Sequence, residues 1–383
     1  MNEDILPRVA IVGARGIPAS YGGFETFAEE ISVHLVRNYG FHVTVVCDAE
    51  QASANQGLTE YKGVQLRYSR FSKGKDAIRF YHDSIKRVVE DHDIVYSCGP
   101  AGGLFGWLVH RHGKIMMTNP DGLNSQRSKW SYPVKIGFRM FERAASYFSD
   151  RVVCDSAAIE RYVRERYGCM HTDVVEYGAY VNPYVQPAEH EKRALADKVL
   201  AELGLVSGQY HLVVSRLEPE NNVEPVIRGY QLADRKWPLV IVGNIKPTGY
   251  VHRLQQVAGE QVRFVGGIYD KVKLAIVRAH AASYFHGHSV GGTNPSLLEA
   301  MGSRNLCVCH DNLFNREVVG EFGLFFADAG QVSAHLGNIE MNAARFEPLR
   351  DGVLLKVRDY YNWDNMAEKY RRIFTAACAR GVR

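Results

Sequence analysis

A buried-strand signal, Arg8-Val9-Ala10-Ile11-Val12, runs into a glycine-rich turn and then into an amphipathic helix; this order constrains the chain more than any other feature. The turn is Gly13-Ala-Arg-Gly16-Ile-Pro-Ala-Ser-Tyr-Gly22-Gly23, the helical pattern FETFAEEISVHLVRNYG ends at Gly40, and a second apolar strand spans His42 to Cys47. Strand, loop, helix, strand is a βαβ unit, and its crossover helix forces the two strands to lie parallel. The rhythm continues through DIVYSC (93–98), KIMMTN (114–119) and RVVCDS (151–156). Near 185–205 the pattern changes: QPAEHEKRALADKVLAELGL is charged, rich in Ala and Leu and without β-branched runs, so it reads as the link into a second domain. The rhythm then restarts in YHLVVSRL, PLVIVGN, VRFVGG, AASYFHG, NLCVCHD and GLFFAD. At roughly 100–200 residues per domain, 383 residues accommodate two. The expected class is α/β with two Rossmann-like doubly wound domains, over 1–188 and 189–359. Ligands of such sheets bind beyond the C-terminal strand ends, so the cleft between the domains is the expected active site.

Composition narrows the function classes. With 46% hydrophobic and 23% charged residues the chain is neither disordered, collagen-like nor a small disulfide scaffold. A net charge of +4 is too weak to argue for nucleic acid, and no nucleic-acid-binding motif accompanies it. Seven cysteines, at 47, 98, 154, 169, 307, 309 and 378, include no Cys-x-x-Cys pair and lie mostly in apolar runs, so they read as reduced, buried thiols of a cytosolic protein. Cys307-x-Cys309 shares one strand face but lacks partners for a metal, so no metal site is expected. The N-terminus, MNEDILPRVAIVG, lacks an apolar core behind basic residues and does not read as a secretion signal. The most apolar window, DIVYSCGPAGGLFGWLVH, is broken by Gly and Pro and falls short of a spanning helix.

Five stretches carry candidate chemistry. Gly22 and Gly23 stand immediately before a helix, where backbone N–H groups can approach an anion; the G-x-x-G-x5-G-G spacing fails the dinucleotide fingerprint, and a plain strand–helix turn is the alternative. Arg216 comes directly off a strand and can hold a diphosphate bidentately, or pair with Glu218 or Glu220. In YFHGHSVGGTNPSLLEAMG, His286 and His288 precede a loop in which Gly291, Gly292, Thr293 and Asn294 offer donors at a helix start, and Glu299 lies one turn in, where it could hold a sugar hydroxyl or cap a solvated face. Asp121, in Asn119-Pro120-Asp121-Gly122, is a polar anchor or general base, or part of an ordinary turn. Finally, Arg127, Lys129, Trp130, Lys135 and Arg139 open a basic and aromatic segment that reads either as interfacial or as a core-facing helix.

VVSRLEPENN followed by GGTNPSLLEAMG resembles the donor-binding half of retaining glycosyltransferases of family 4. The ending, YNWDNMAEKY, looks like that family's last helix, which crosses back onto the N-terminal domain, here over about 360–383. VGARGIPASYGGFETFAEE, NPDGL and HGHSVGGTNPSLLEAMG are similar to a narrower set, bacterial rhamnosyltransferases that build surface polysaccharide on lipid carriers. The resemblance implies a GT-B architecture with the donor nucleotide on the C-terminal domain and no required metal or other cofactor. It implies that Arg216 contacts the donor diphosphate, that Glu299 contacts the ribose, and that Gly22 and Gly23 approach the diphosphate. Asp121 occupies the place of a catalytic-site His.

Two departures from the family stand out. Its first Glu of Glu-x7-Glu is Gly291 here, and its Lys five residues after the Arg is Asn221. His286 and His288 are the nearest groups to replace the Glu, and Lys246 the nearest to replace the Lys. The implied reaction moves L-rhamnose from dTDP-β-L-rhamnose to a lipid-linked saccharide, with retention, in a cytoplasmic protein held peripherally at the anionic inner leaflet. A UDP- or GDP-sugar donor, an epimerase or phosphorylase on the same fold, and a non-catalytic sugar-nucleotide-binding protein are the alternatives.

Overall fold

The computed structural model describes residues 6–20, 22–127, 130–185 and 187–379. Val- and Ile-rich runs form the parallel strands because both strand faces are covered, so no alternation with polar residues is required. The chain divides into two compact units.

The first unit comprises the chain to Gln126, residues 130–177 and the segment from Trp363 onward. Its sheet contains β1 (Val9–Val12), β2 (Val43–Cys47), β3 (Glu60–Tyr61), β4 (Val64–Tyr68), β5 (Ile94–Cys98), β6 (Ile115–Asn119), β7 (Arg151–Cys154) and β8 (Thr172–Val174). The order is β3-β4-β2-β1-β5-β6-β7-β8, parallel throughout except for the β3–β4 hairpin. β1 is buried along its length and lies between β2 and β5, Ala10 facing Thr44 on one side and Val95 on the other. Helix Gly23–Tyr39 carries Phe27 into an aromatic cluster completed by the C-terminal helix Trp363–Ala379. There Phe27 stacks on Tyr96 at 5.4 Å and meets Tyr370 edge-on at 5.3 Å, and the Tyr96 and Tyr370 hydroxyls are hydrogen-bonded at 2.8 Å.

The second unit runs from Gly178 to Asn362 and also takes in Arg127. Its strands are β9 (His211–Val214), β10 (Leu239–Val242), β11 (Val262–Gly266), β12 (Ser283–His286), β13 (Cys307–His310) and β14 (Leu324–Phe326), all parallel, in the order β11-β10-β9-β12-β13-β14. Ile227, Tyr230, Ile241, Leu254, Phe285, Val308 and Phe326 lie in one buried cluster. The segment read as a link folds into helix His190–Glu202. The units divide at Tyr177/Gly178 and Asn362/Trp363, whereas the sequence reading puts the boundaries at 188/189 and 359/360. Asn182 explains the difference at the first boundary: its side chain donates to the Ala275 carbonyl and to Ser303 Oγ, each at 2.8 Å, which anchors the stretch before Gln186 to the second unit.

Each sheet is built outward in both directions from its first central strand, so the order reverses between β1 and β5 and again between β9 and β12. Beyond the carboxyl ends of such strand pairs the loops part, and the crevice between them is where open α/β sheets bind ligands.

Candidate active site

At the reversal in the second sheet, β9 ends into Ser215-Arg216 and β12 into Gly287-His288. The two loops are stitched together. Asn222 Nδ2 donates to the Gly287 carbonyl at 2.8 Å, and Ser289 donates to the Glu220 carbonyl through its N–H at 3.0 Å and its hydroxyl at 2.9 Å. Only glycine fits at 287, because a Cβ there would stand 2.1 Å from the Asn221 carbonyl oxygen. Asn221 is buried and donates to the Arg216 carbonyl at 2.7 Å, so its side chain braces the loop that presents Arg216. The Arg216 side chain is 48% exposed and is paired only loosely with Glu218, at 3.8 Å, which leaves its guanidinium open to an anion.

The His286 and His288 rings stack at 4.3 Å and 12°. His286 is 1% exposed, and neither of its ring nitrogens has a partner among the described residues; His288 Nδ1 is likewise enclosed and unpartnered. Burial, followed by the neighbouring His288 and His310, holds His286 well below the usual imidazole range. Burial and then the Arg216 and Arg127 guanidiniums push His288 down to about 3. Both rings are therefore neutral, each with one N–H to donate and one nitrogen to accept. The Ser215 hydroxyl, also buried at the end of β9, has no partner either. Buried polar groups are nearly always satisfied, so unpaired ones gathered at a sheet reversal mark a place for a polar ligand.

Helix Pro295–Gly302 starts beside this loop, its N-cap Asn294 accepting from the Ser296 N–H at 3.0 Å. Thr293 is buried, and Gly291 and Gly292 are half-buried. Gly291 has φ 145°, a conformation that a side chain strongly disfavours, which gives a backbone reason for the absence of a Glu at this position. Glu299 is half-exposed, and its Oε2 lies 2.6 Å from Arg278. Lys246 is exposed in the loop after β10, one strand outward from β9. The loops thus gather Arg216, Asn221, His286, His288 and 291–294 at one sheet reversal, with Glu299 a turn further on. Ser215 and Arg278 were missed in the sequence; only the adjacency of β9, β12 and their helices singles them out.

In the first unit Gly22 is the N-cap of helix Gly23–Tyr39, with Thr26 bonded to its carbonyl. Asp121 follows β6 at φ 64°, a strained conformation for a non-glycine residue. Its Oδ1 accepts from the Gly122 N–H and its Oδ2 from Asn124 Nδ2, so the carboxylate closes its own turn. Lys135 and Arg139 lie half-buried on helix Tyr132–Phe148, and Trp130, just before it, packs on Phe138 at 5.6 Å. Arg127 groups with the second unit, and Lys129 lies outside the described residues. The helix is pinned inward by buried Glu142, which accepts from the Ser125, Tyr162 and Tyr167 hydroxyls. Outward it leaves Tyr132, Ile136, Met140 and Tyr147 exposed. At 100° per residue these four share an arc of about 140° with Lys135, Arg139 and Arg143. Among the described residues no helix is long and apolar enough to cross a membrane, and no His, Cys, Asp and Glu cluster suits a metal ion. Six of the seven cysteines are buried, and burial pushes the Cys47 and Cys307 thiols up to about 12. A depression of about 450 Å³ lined by Ser207, Trp237, His280, Arg304 and Arg350 sits at the opposite, N-terminal strand ends of the second sheet.

Two doubly wound sheets, the second with an exposed Arg and unpaired buried polar groups at its reversal, fit the GT-B class. Residues 203–341 match the family model described as Glycosyl transferases group 1, and residues 6–180 match one described as a domain of unknown function, DUF1972. No curated protein matches the chain by sequence. Among solved structures, sucrose-phosphate synthase from Thermosynechococcus elongatus shares 16% identity with a TM-score of 0.82, over 98% of this chain and 100% of that one. Anabaena HepE in complex with UDP shares 14% with a TM-score of 0.74, over 96% and 100%. A UDP-forming trehalose-phosphate synthase from Burkholderia xenovorans shares 11% with a TM-score of 0.70, over 96% and 100%. The chain therefore has the GT-B fold, and its residues 203–341 match the glycosyl transferases group 1 model.

Proposed function

We propose that the protein is a retaining family 4 transferase that moves L-rhamnose from dTDP-β-L-rhamnose onto a hydroxyl of a lipid-linked saccharide in surface-polysaccharide synthesis. The observation that carries the reading is the open Arg216 guanidinium beside the unpaired Ser215, His286 and His288 groups. The anion would be the donor diphosphate, and the neutral imidazoles would meet sugar hydroxyls that a Glu meets in other family members. The binding of UDP by HepE supports a nucleotide at such a fold.

In the reaction the bond from the sugar anomeric carbon to the diphosphate breaks, and a bond to the acceptor oxygen forms on the same face. The acceptor proton passes to a phosphate oxygen of the leaving group. Arg216 and the N–H groups at the start of helix Pro295–Gly302 would stabilise the developing charge, so the reading requires no metal. Asp121, with both oxygens committed to its turn, orients neighbouring groups and is not a nucleophile. The exposed apolar and cationic arc of helix Tyr132–Phe148 supports peripheral attachment to an anionic leaflet on the cytoplasmic side.

The test is a thermal-shift panel, run in EDTA, of dTDP, UDP, GDP and ADP with their common sugars, on the wild type and Arg216→Ala. A ligand at a hundred times its Kd stabilises by about 2.7 kcal/mol, which is readily seen as a raised Tm. The expected outcome is selective stabilisation by dTDP-rhamnose that is lost in Arg216→Ala. A preference for UDP- or GDP-sugars discards rhamnose, and no shift with any nucleotide discards the reading.

A further inference from the structure

Arg278 lies near the end of helix Lys271–Ala279 with its side chain only 7% exposed. A guanidinium taken out of water is costly unless it is paired, and a buried pair seldom gains stability over a well-packed apolar one. Here the carboxylate that meets Arg278 is the half-exposed Glu299, 2.6 Å away at Oε2. The same guanidinium donates to Ser296 Oγ at 3.3 Å, while its Nε has no partner among the described residues. Ser296 Oγ in turn bonds the Tyr284 hydroxyl at 2.7 Å and the Val214 carbonyl at 3.2 Å, at the end of β9 and two residues before Arg216. One chain of contacts therefore runs from the loop of Arg216, through Ser296 and Arg278, to Glu299, whose Oε1 has no partner among the described residues.

We infer that Arg278 is a positioning residue, fixing the Glu299 carboxylate through Oε2 so that Oε1 is presented to a hydroxyl of the bound nucleoside sugar. The inference rests on the reading that a nucleoside diphosphate lies along this strand end with its sugar at Glu299. Without Arg278 the carboxylate swings freely, and the ordering of its side chain is charged against ligand binding. Arg278 touches the ligand only through Glu299, so the two side chains act as one unit and their effects do not add.

Calorimetric titration with dTDP, and with UDP and GDP in parallel, on full-length wild type, Arg278→Met, Arg278→Lys, Glu299→Gln and the Arg278→Met/Glu299→Gln double variant tests this, with Tm recorded for each. Glu299→Gln and Arg278→Met are each expected to weaken binding about tenfold, the loss of one charge-assisted hydrogen bond. The double variant is expected to bind no more weakly than Glu299→Gln alone, and Arg278→Lys, which keeps a cation but not the fork, to fall between wild type and Arg278→Met. Losses that multiply in the double variant, or an Arg278→Met that lowers Tm while binding as wild type, make Arg278 a brace of the fold and overturn the inference. If Arg278→Met does not fold, Arg278→Lys combined with Glu299→Gln in a second double variant gives the same decision. Wild-type binding by Glu299→Gln overturns the placement of the nucleoside sugar itself, and no binding by the wild type overturns the nucleotide reading.

Discussion

His286 and His288 carry the most specific consequence at the scale of single residues. In the native chain His288 protonates only at about 3, against an ordinary value of 6.5 once unfolded, and His286 is shifted the same way. Between those limits the unfolded chain binds more protons, so stability is fully present above pH 6.5 and is lost as the pH falls toward 3. His92, His211, His280 and His310 are also lowered, chiefly by burial, and add to the slope. Urea midpoints at pH 7.5 and 5 are therefore expected to fall for the wild type and to fall less for His288→Asn. An equal fall in both would mean that His288 is not held neutral. Single residues were also where the sequence was least legible. Ser215 lies inside VVSRLEPENN but is overshadowed there by Arg216, and Arg278 sits in no motif; both acquire meaning only once strands some 70 residues apart lie side by side, as Leu212 and Tyr284 do. Arg216 was legible because it comes directly off an apolar strand.

Among the elements, helix Tyr132–Phe148 shows how far a pattern reaches. Interleaved basic and aromatic residues are visible in the sequence, but apolar residues occupy more than one side of the helix, so the outward side could not be chosen. Phe138 and Phe141 turn out to be half-buried and 6.5 Å apart, while Tyr132, Ile136, Met140 and Tyr147 face out. Replacing Lys129, Lys135 and Arg139 by Glu is expected to abolish co-sedimentation with anionic vesicles, since each cation near such a surface contributes about 1 kcal/mol. Met140→Ser with Tyr147→Ser is expected to weaken binding at unchanged charge. Vesicle binding unaffected by the charge reversals would end the membrane reading. The strands show the same limit: the central ones were read from their Val and Ile runs, whereas edge strands β3 and β8, and β4 beside the first of them, were not, being two, three and five residues long with exposed or half-exposed positions.

For the whole molecule the governing fact is that the second unit is nearly continuous in the chain and the first is not. Residues 178–362 contain every strand of the second sheet and its buried cluster. This fragment is expected to fold cooperatively by circular dichroism and to bind the same nucleotide as the full chain. Residues 1–177 lack Tyr370 and Phe374, both about 1% exposed and packed against Tyr96. Removing one such aromatic costs about 3–5 kcal/mol, against a total stability of about 5–15 kcal/mol, so this fragment is expected to remain unfolded until residues 363–383 are supplied as a peptide. A folded 1–177 fragment would show that the last helix is dispensable.

That discontinuity sets an order of events on the ribosome. Phe27 and Tyr96 emerge early, yet the helix that covers them is made only after the whole of the second unit has been synthesised. At about 5–20 residues per second, the roughly 270 residues between Tyr96 and Tyr370 hold that aromatic face open to water for some 13–55 seconds. Through that interval the nascent chain exposes apolar surface of the kind that aggregates, so slower translation or a depleted chaperone supply is expected to lower the yield of folded protein.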